Sequence, residues 1–349
     1  MSHFIYRSKH EAISFRVTSN VPVALLVLLF GLGGLLLSSL SLGSYHLDLA
    51  QVWHTLISAQ PGETATTVIW ELRLPRFLAA CLVGMMLGLS GAILQTVTRN
   101  PLADPSLVGV SQGASLAVVA LIVLWPAAPL ELRPLIGFMG AITAAGLVQW
   151  IAAGKSSSAS LRFILVGVGI SASISACTNA ILTYGQVNQA AAALSWLAGS
   201  VHTASWGECL VLILGLLLCL PCLVWSIRPL TGLRFGPEVA IGLGVNQRRD
   251  RFLVIALAVA LAALAVSMTG PLGFIGLIAA QLVHRVLRVG VGSHLLLTAL
   301  VGGCLVALAD LVGRTVFAPI QLPAGLVSAA IGAPVFIALI FRGTGPKQF

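Results

Sequence analysis

The chain alternates between long apolar segments and short polar connections. Each apolar segment is close to the roughly 20 residues that an α-helix needs to cross a bilayer. The pattern predicts ten spanning helices, at 22–42, 74–97, 106–125, 134–153, 162–184, 208–227, 252–270, 272–289, 295–317 and 325–342. We therefore predict an all-α polytopic membrane protein in which residues 1–349 form a single transmembrane domain.

The eighth segment is the least regular of these. Gly270-Pro271 and Gly273 interrupt it, and Arg285 and Arg288 close it early. A broken helix is tolerated at membrane depth only where protein or a water-filled cavity satisfies the freed backbone groups. We therefore expect 270–289 to be buried in the helix bundle rather than facing lipid.

Composition and charge exclude a soluble domain and a nucleic-acid-binding protein. Hydrophobic residues make up 58% of the chain and charged residues only 8%, against about 25% charged residues in soluble domains. A water-facing surface cannot be assembled from so few charges. The net charge of +9 does not indicate nucleic acid, because the basic residues form no stripe with interleaved aromatics.

The basic residues instead set the orientation in the lipid membrane. Fifteen of the 19 Lys and Arg residues fall on one side of the predicted spans, and Arg73, Arg76, Arg133 and Arg314 fall on the other. The positive-inside rule makes the first side cytoplasmic, and an even number of spans places both termini there. Residues 1–20 are then a cytoplasmic tail. The first apolar run lacks a small-residue cleavage site, which indicates a retained helix.

The sequence offers no catalytic arrangement. Six cysteines lie in or at the ends of apolar spans, and the spacing of Cys219 and Cys222 is better explained by a proline kink than by redox chemistry. The seven histidines have no paired ligand spacing, so we predict no metal and no cofactor. Gly154-Lys155-Ser156 resembles the end of a phosphate-binding loop, but Gln149 stands where the pattern needs glycine. Any ATP hydrolysis is therefore expected of a partner.

The hydrophilic segment 228–251 is the longest predicted on the cytoplasmic side. Pro237 and Glu238 suit the start of a helix, and Gly242 and Gly244 suit its end or a bend. Spacing alone leaves two alternatives equally open. The segment forms a short amphipathic helix that docks in a groove of another protein, or it is a solvated loop that only sets topology.

Four charged residues form a candidate site on the outer side. Arg73 and Arg76 are predicted at the outer end of the second span, and Arg314 at that of the ninth. They are candidates for docking a partner through charge-assisted pairs with carboxylates, or for anchoring helix ends at the interface. Asp310 precedes Arg314 by four residues, which predicts a structural ion pair between them rather than a proton relay.

The fifth span is rich in small and polar residues. Such residues allow close helix packing, and that explanation is as good as a role in lining a transport path. Ser175 and Asn179 are the candidates for the path.

Several motifs, in their order along the chain, resemble the FecCD-type permease family of ABC importers for iron–siderophore, haem and cobalamin uptake. They are Arg73-Leu-Pro-Arg76, Asn100 to Pro105, Ser195 to Ser200, Gly236 to Val245, Gly270 to Leu277, Ala309 to Arg314 and Gln321 to Gly325. The run from Asn100 to Pro105 most closely resembles the ferric-siderophore members.

The resemblance implies the type II ABC importer architecture in the bacterial inner membrane. Two permease chains, identical or paralogous, would surround a path served by two cytoplasmic ABC ATPase subunits and a periplasmic substrate-binding protein. The expected cargo is a ferric siderophore or related chelate. The resemblance assigns ATPase coupling to Gly236, Pro237, Glu238, Val239, Ala240, Leu243 and Gly244. It pairs Arg73, Arg76 and Arg314 with glutamates of the binding protein.

The chain departs from the family's sequence pattern at two places, and two alternative functions stay open. Many members have Pro-His where this chain has Ala280-Gln281, which predicts a less kinked start of the eighth helix. Glu238 comes one residue later than the acid usual in the family. The same machinery for haem or cobalamin is an alternative. An ion-coupled secondary transporter is another, but it would show inverted repeats or matching intramembrane acids.

Overall fold

A computed structural model of the chain describes residues 3–7, 14–18, 20–43, 45–58, 63–152 and 159–342. The described helices are α1 (Asn20–Ser41), α2 (Leu49–Ile57), α3 (Thr64–Thr66), α4 (Leu74–Thr98), α5 (Val110–Leu124), α6 (Leu132–Ala152), α7 (Ala159–Tyr184), α8 (Val187–Leu197), α9 (Trp206–Arg234), α10 (Pro237–Gly242), α11 (Arg249–Thr269), α12 (Ile275–Val286), α13 (Val291–Thr315) and α14 (Ala324–Arg342). A π-helical stretch, Thr67–Arg73, joins α3 to α4, and a 3-10 turn, Pro105–Val108, precedes α5.

Each of the ten predicted spans coincides with a helix. Seven described helices are long and apolar enough to cross a membrane, whereas α5, α12 and the apolar stretch of α14 are shorter. The two small helices α2 and α8 lie in outer connections, and α10 lies in the inner connection between α9 and α11. Helical membrane architecture is thus confirmed.

Several predicted bounds differ from the helix ends, and the second, third and sixth spans are examples. The second span begins far earlier, because α3, the π-helical stretch and α4 form one continuous run from Thr64 to Thr98. The third starts later, at Val110, because Pro105 opens a separate 3-10 turn. The sixth continues to Arg234, with Pro221 and Pro229 accommodated inside the helix. Residues 228–234 of the predicted cytoplasmic segment are therefore helical and continuous with α9.

A small hairpin precedes the helical bundle. Strand β1 (His3–Arg7) pairs antiparallel with β2 (Ser14–Thr18), with His3 opposite Thr18. Aromatic and β-branched residues are frequent in both strands, which favours extended structure. The predicted tail 1–20 is described only at 3–7, 14–18 and residue 20.

Helix α4 lies at the centre of the bundle. In the continuous helix Thr64–Thr98, which contains α4, 83% of the most apolar 18-residue stretch is buried. The corresponding share is 11% in α1 and in α7. It packs against α13, α11, α12 and α9. Glycines allow the helices to approach closely, because a Cβ on Gly84 would lie 2.2 Å from the carbonyl oxygen of Gly302 and one on Gly91 would lie 2.4 Å from that of Gly276.

Most of the irregular eighth segment is buried, as predicted, but its inner end is exposed at residues 284–286 and 288. Residues 270–274 are not helical, and α12 begins after Phe274, which has a positive φ of 67°. Thr269 Oγ1 donates to the carbonyl oxygen of Gly270, and Ser328 Oγ donates to that of Gly273. Side-chain hydroxyls thus satisfy carbonyl groups that the broken helix leaves free. The helix itself runs unbroken through Ala280 and Gln281.

Candidate functional site

The outer side of the bundle contains a buried ionic cluster centred on Arg76 of α4 and Asp310 of α13. The Nε atom of Arg76 lies 3.0 Å and 2.9 Å from the two carboxylate oxygens, and its Nη2 lies 2.8 Å from Oδ1. Arg76 is 8% exposed and Asp310 3%. This fork geometry is the strong form of an arginine–carboxylate contact, and it ties α4 to α13.

Arg76 also reaches two outer connections. Its Nη1 donates to Oε1 of Gln321 at 2.9 Å and contacts Nδ1 of His202 at 2.7 Å. Because a guanidinium has only donors, Nδ1 of His202 must accept and cannot carry a proton in this contact. Arg76 therefore links α4 with the α8–α9 and α13–α14 connections.

The other two arginines are bound to the end of α1 and the connection after it. Arg73 donates to the carbonyl oxygens of Leu40 and Tyr45. Arg314 Nη2 donates to the carbonyl oxygen and to Oγ of Ser39, both at 2.6 Å. Both arginines are buried. We call Arg73, Arg76, Asp310 and Arg314, with His202, the outer cluster.

Asp310 has a second, closer partner in addition to the Arg314 that the sequence predicted. Arg314 Nε lies 4.0 Å from Oδ2 of Asp310, so the two side chains are neighbours as the four-residue spacing predicts. The close partner of Asp310 is nevertheless Arg76, 234 positions earlier in the chain. Spacing along one helix identifies the face that Asp310 occupies, but not which other helix covers that face.

The three arginines differ in their position along the helices, and only Arg314 lies close to the end of its helix. Arg73 and Arg76 lie within the continuous helix that begins at Thr64, and all three guanidinium groups bind within this chain. Docking of a binding protein on these residues stays a prediction. Sequence reasoning missed Ser39, His202 and Gln321, since each is an ordinary polar residue that only the fold brings to the cluster.

Acidification is expected to weaken the outer cluster slightly. Burial lowers the pKa of His202, the adjacent Arg76 lowers it further, and Asp310 opposes both. The unfolded chain therefore takes up this proton at a higher pH than the folded chain. The stabilisation is present above the ordinary histidine pKa of about 6.5 and is lost as the pH falls through that value towards the lower folded-state pKa.

The measurement is the unfolding temperature of the purified protein at about pH 7.5 and about pH 5.5. We expect His202→Gln, which keeps an acceptor, to lose less stability on acidification than the wild type. His54→Gln, at an exposed position of α2, is the control and should behave as the wild type. An equal acid response of all three proteins would contradict the assignment of Nδ1 as acceptor.

The inner segment around residues 236–244 forms a short helix, α10. Gly236 precedes it with a φ of 108°, a conformation that favours glycine, and Gly244 follows it with a φ of 77°. Ala240 is fully buried in the core that includes Leu233 of α9, whereas Val239 and Leu243 are exposed. The segment is therefore helical rather than a loop, and its docking on a partner stays a prediction.

Helix α10 adds an apolar surface to the inner side of the bundle. The exposed large apolar side chains are Val239 and Ile241 of α10 and the flanking Phe235 and Leu243. Glu238 is also exposed. Large apolar side chains exposed on a segment predicted to lie outside the membrane are candidates for an interaction surface. A Cβ on Gly236 would lie 3.2 Å from Nη1 of Arg99, the residue that ends α4, so α10 adjoins the inner end of the central helix.

Gln281, at the position where the chain departs from the family, joins three inner elements. Its Nε2 donates to Oε1 of Gln95 at 2.7 Å and to the carbonyl oxygen of Pro101 at 3.1 Å. Gln95 in turn donates to the carbonyl oxygen of Leu277 at 3.3 Å. The amide pair therefore holds α4, α12 and the Asn100–Pro105 loop together, a function that the sequence did not indicate.

Helix α7 presents polar residues on a largely exposed surface. Ser175 is half-buried, while Ser173, Asn179 and Thr183 are exposed. Polar groups facing hydrocarbon are costly, which favours a protein neighbour or a water-filled path at this face. Lining of a path by Ser175 and Asn179 stays a prediction. Among the described residues, no group of three or more His, Cys, Asp or Glu side chains is placed to hold a metal ion.

The helical bundle, the outer cluster and the apolar inner helix define a multi-pass membrane transport subunit. The FecCD transport family model matches residues 26–342. The chain belongs to this family, and is thus an inner-membrane permease subunit of an ABC importer. It works with ATPase and binding-protein partners and has no ATPase site of its own.

Individual relatives cover almost the whole chain. The achromobactin transport permease CbrC of Dickeya dadantii is 38% identical over 95% of this chain and 93% of its own length. The Fe(3+)-citrate import permease YfmE of Bacillus subtilis is 37% identical over 96% of each chain. The hemin transport permease HmuU of Yersinia pestis is 34% identical over 94% of this chain and 97% of its own.

A solved structure agrees with the fold. It is described as an inward-facing conformation of an ABC transporter of the metal-chelate type. It matches with a TM-score of 0.81 and 29% identity over 92% of this chain and 99% of its own.

Proposed function

We propose that the chain carries a ferric siderophore from the periplasm to the cytoplasm, together with a second permease chain and driven by ATPase subunits that dock on α10. The observation that carries the proposed coupling to the ATPase is the exposed apolar surface of α10. The helix is anchored from behind by Ala240. An anchored helix with apolar side chains facing outward is suited to fit a groove in a partner.

The position of α10 gives it a route to the transport path. It packs on α9 and adjoins Arg99 at the inner end of α4. Movement of α10 by the ATPase pair would therefore be transmitted to the helix that contacts most of the bundle. ATP can drive such a change only by binding one conformation of the complex more tightly than the other. In this account Gly236, Pro237 and Gly244 shape the helix, and Glu238, Val239 and Leu243 contact the ATPase.

The proposed cargo rests on the relatives. The two relatives named for achromobactin and Fe(3+)-citrate transport are 38% and 37% identical to this chain, and the hemin permease is 34% identical. The higher identity favours a ferric siderophore, and haem is the second candidate.

The second permease chain is proposed from the surface of α7. Asn179 and Thr183 are exposed polar residues on a helix that this chain scarcely covers. A second chain, identical or paralogous, packed beside α7 would shield these groups from lipid. Ser175 and Asn179 would then border the path between the two chains.

The outer cluster is the proposed attraction site for the periplasmic binding protein. Arg73, Arg76 and Arg314 are accompanied by one aspartate, Asp310, so the cluster carries an excess of positive charge close to the outer surface. Such a field steers a partner whose surface bears carboxylates. On this proposal the arginines act while held by their own chain rather than as free side chains.

Uptake measurements test the proposal. Labelled ferric achromobactin, ferric citrate, haemin and cobalamin are supplied to a deletion strain and to the strain complemented with the intact chain. We expect the deletion strain to lose uptake of a ferric carboxylate siderophore only. Complementation with the intact chain should restore that uptake. Loss of haemin or cobalamin uptake instead would overturn the proposed cargo. Unchanged uptake of all four labelled compounds would overturn the proposal as a whole.

Two substitutions test the coupling segment in the same strain. Val239→Asp with Leu243→Asp places charges on the exposed apolar surface of α10 and should abolish uptake and co-purification of the ATPase. Ser58→Asp adds a carboxylate at an exposed position on the outer side and should leave both unchanged. Both variants should be present in the membrane at wild-type levels. Normal uptake by the α10 variant would show that this helix does not transmit the ATPase movement.

A further inference from the structure

Helix α2 has an exposed apolar side that no part of the described chain covers. Leu49, Trp53 and Ile57 are spaced four residues apart and are 61%, 65% and 68% exposed. At 100° per residue this spacing places them in one sector of the helix surface. The start of the helix is capped, because the backbone N–H of Asp48 donates to Oε1 of Gln51 at 3.1 Å.

The remaining surface of α2 divides into two further sectors. Val52 and Thr55 are buried, and Leu56 packs with them against a small core under α1. Gln51 and His54 are exposed and polar. The exposed apolar sector therefore lies between a side facing protein and a side suited to water. This three-sided arrangement is typical of a helix lying in the boundary of a membrane.

Contacts with two tryptophans indicate the depth of α2 relative to the outer surface of the membrane. Trp70 Nε1 donates to the carbonyl oxygen of Thr55 at 3.3 Å, and Trp206 Nε1 donates to the carbonyl oxygen of Trp70 at 2.7 Å. Trp206 is the first residue of the spanning helix α9. Tryptophans concentrate at the membrane–water interface, so α2 lies at the depth where the outer interface is expected.

We infer that α2 lies in the outer boundary between lipid headgroups and acyl chains, with Leu49, Trp53 and Ile57 inserted among the acyl chains. The adjacent helix α1 supports lipid as the occupant, because its most apolar window is only 11% buried. Helix α2 contains no Asp, Glu, Lys or Arg that would orient a protein partner. Three side chains also form a patch far smaller than the about 800 Å² per partner of a stable protein interface.

This lipid contact acts on the outer cluster. The connection between α1 and α2 includes Tyr45, whose carbonyl oxygen accepts from Arg73, and α2 itself accepts from Trp70. Anchoring α2 in lipid therefore holds in place the backbone that binds Arg73. The inference is independent of the cargo and of the ATPase.

Spin labels at neighbouring positions test the inference. The six native cysteines are replaced by serine or alanine, and Trp53→Cys or His54→Cys is labelled with a nitroxide in phosphatidylethanolamine–phosphatidylglycerol vesicles. Both positions are exposed, so the label itself should not disturb folding. We expect a ratio of collision with oxygen to collision with a water-soluble nickel chelate several-fold higher at 53 than at 54.

The other outcomes overturn the inference in distinguishable ways. Equal access of the nickel chelate to both positions would mean that the sector faces water. Shielding of position 53 from both reagents would mean that a protein surface covers it, either a second permease chain or a binding protein. Co-elution of both labelled variants with the unlabelled protein in size-exclusion chromatography establishes that they are folded.

Discussion

Asp310→Ala is expected to destabilise the folded protein by about 3–5 kcal/mol, because it leaves buried arginines without their counter-charge. Arg76 loses three contacts of 2.8 to 3.0 Å, and Arg314 loses its only neighbouring carboxylate in the described cluster. Both guanidinium groups stay enclosed between α4, α13 and the end of α1. The measurement is the midpoint of thermal unfolding in detergent, with the yield of monodisperse protein as a second readout.

Two further variants separate the charge effect from the loss of packing. Glu131→Ala removes an exposed outer acid and should leave the midpoint nearly unchanged. Arg76→Met combined with Asp310→Leu removes the pair together and should recover part of the lost stability, since an apolar replacement of a buried pair is often close to neutral, although Arg314 still lacks its neighbouring carboxylate. A midpoint for Asp310→Ala equal to that of Glu131→Ala would contradict a buried counter-charge role.

The outer cluster shows where sequence reasoning ends. The hydrophobic runs predict the helices, because crossing a bilayer sets both their length and their composition. The same runs do not reveal where a helix continues beyond the apolar core. Trp70, Glu71 and Arg73 end the apolar pattern of the second span, yet the backbone stays helical back to Thr64. Hydrogen bonding within the helix and packing against α2 maintain it there.

Partners across helices are likewise invisible in the sequence. Asp310 and Arg314 have an obvious spacing, but Asp310 binds Arg76 because α4 and α13 approach at their glycines. The inner segment gives the opposite case. Pro237 and Gly244 suit the two ends of a short helix by local conformational preference, and the structure has that helix although the sequence left a solvated loop equally open. Which of its apolar residues are exposed depends on the position of α9, so Ala240 could not be told apart from Val239.

The close contact between α4 and α13 predicts a second substitution with a large loss of stability. Gly84→Ala is expected to prevent stable packing of these helices, because its Cβ would lie 2.2 Å from the carbonyl oxygen and 2.6 Å from the carbonyl carbon of Gly302. Backbone atoms cannot move aside by changing rotamer. Overpacking usually costs about 1–3 kcal/mol, and we expect this variant to reach the upper end of that range or exceed it.

The matched control is Gly169→Ala on α7, where a Cβ would meet no atom within 4 Å. Alanine favours a helix over glycine by about 1 kcal/mol, so this control should be as stable as the wild type or slightly more so. The same gain in propensity applies at Gly84, and any difference between the variants therefore measures the contact alone. Expression and unfolding midpoints in detergent are compared for the two proteins. If Gly84→Ala proved as stable as Gly169→Ala, α4 and α13 would have to be further apart than described, and the link from Arg76 to Asp310 would lose its basis.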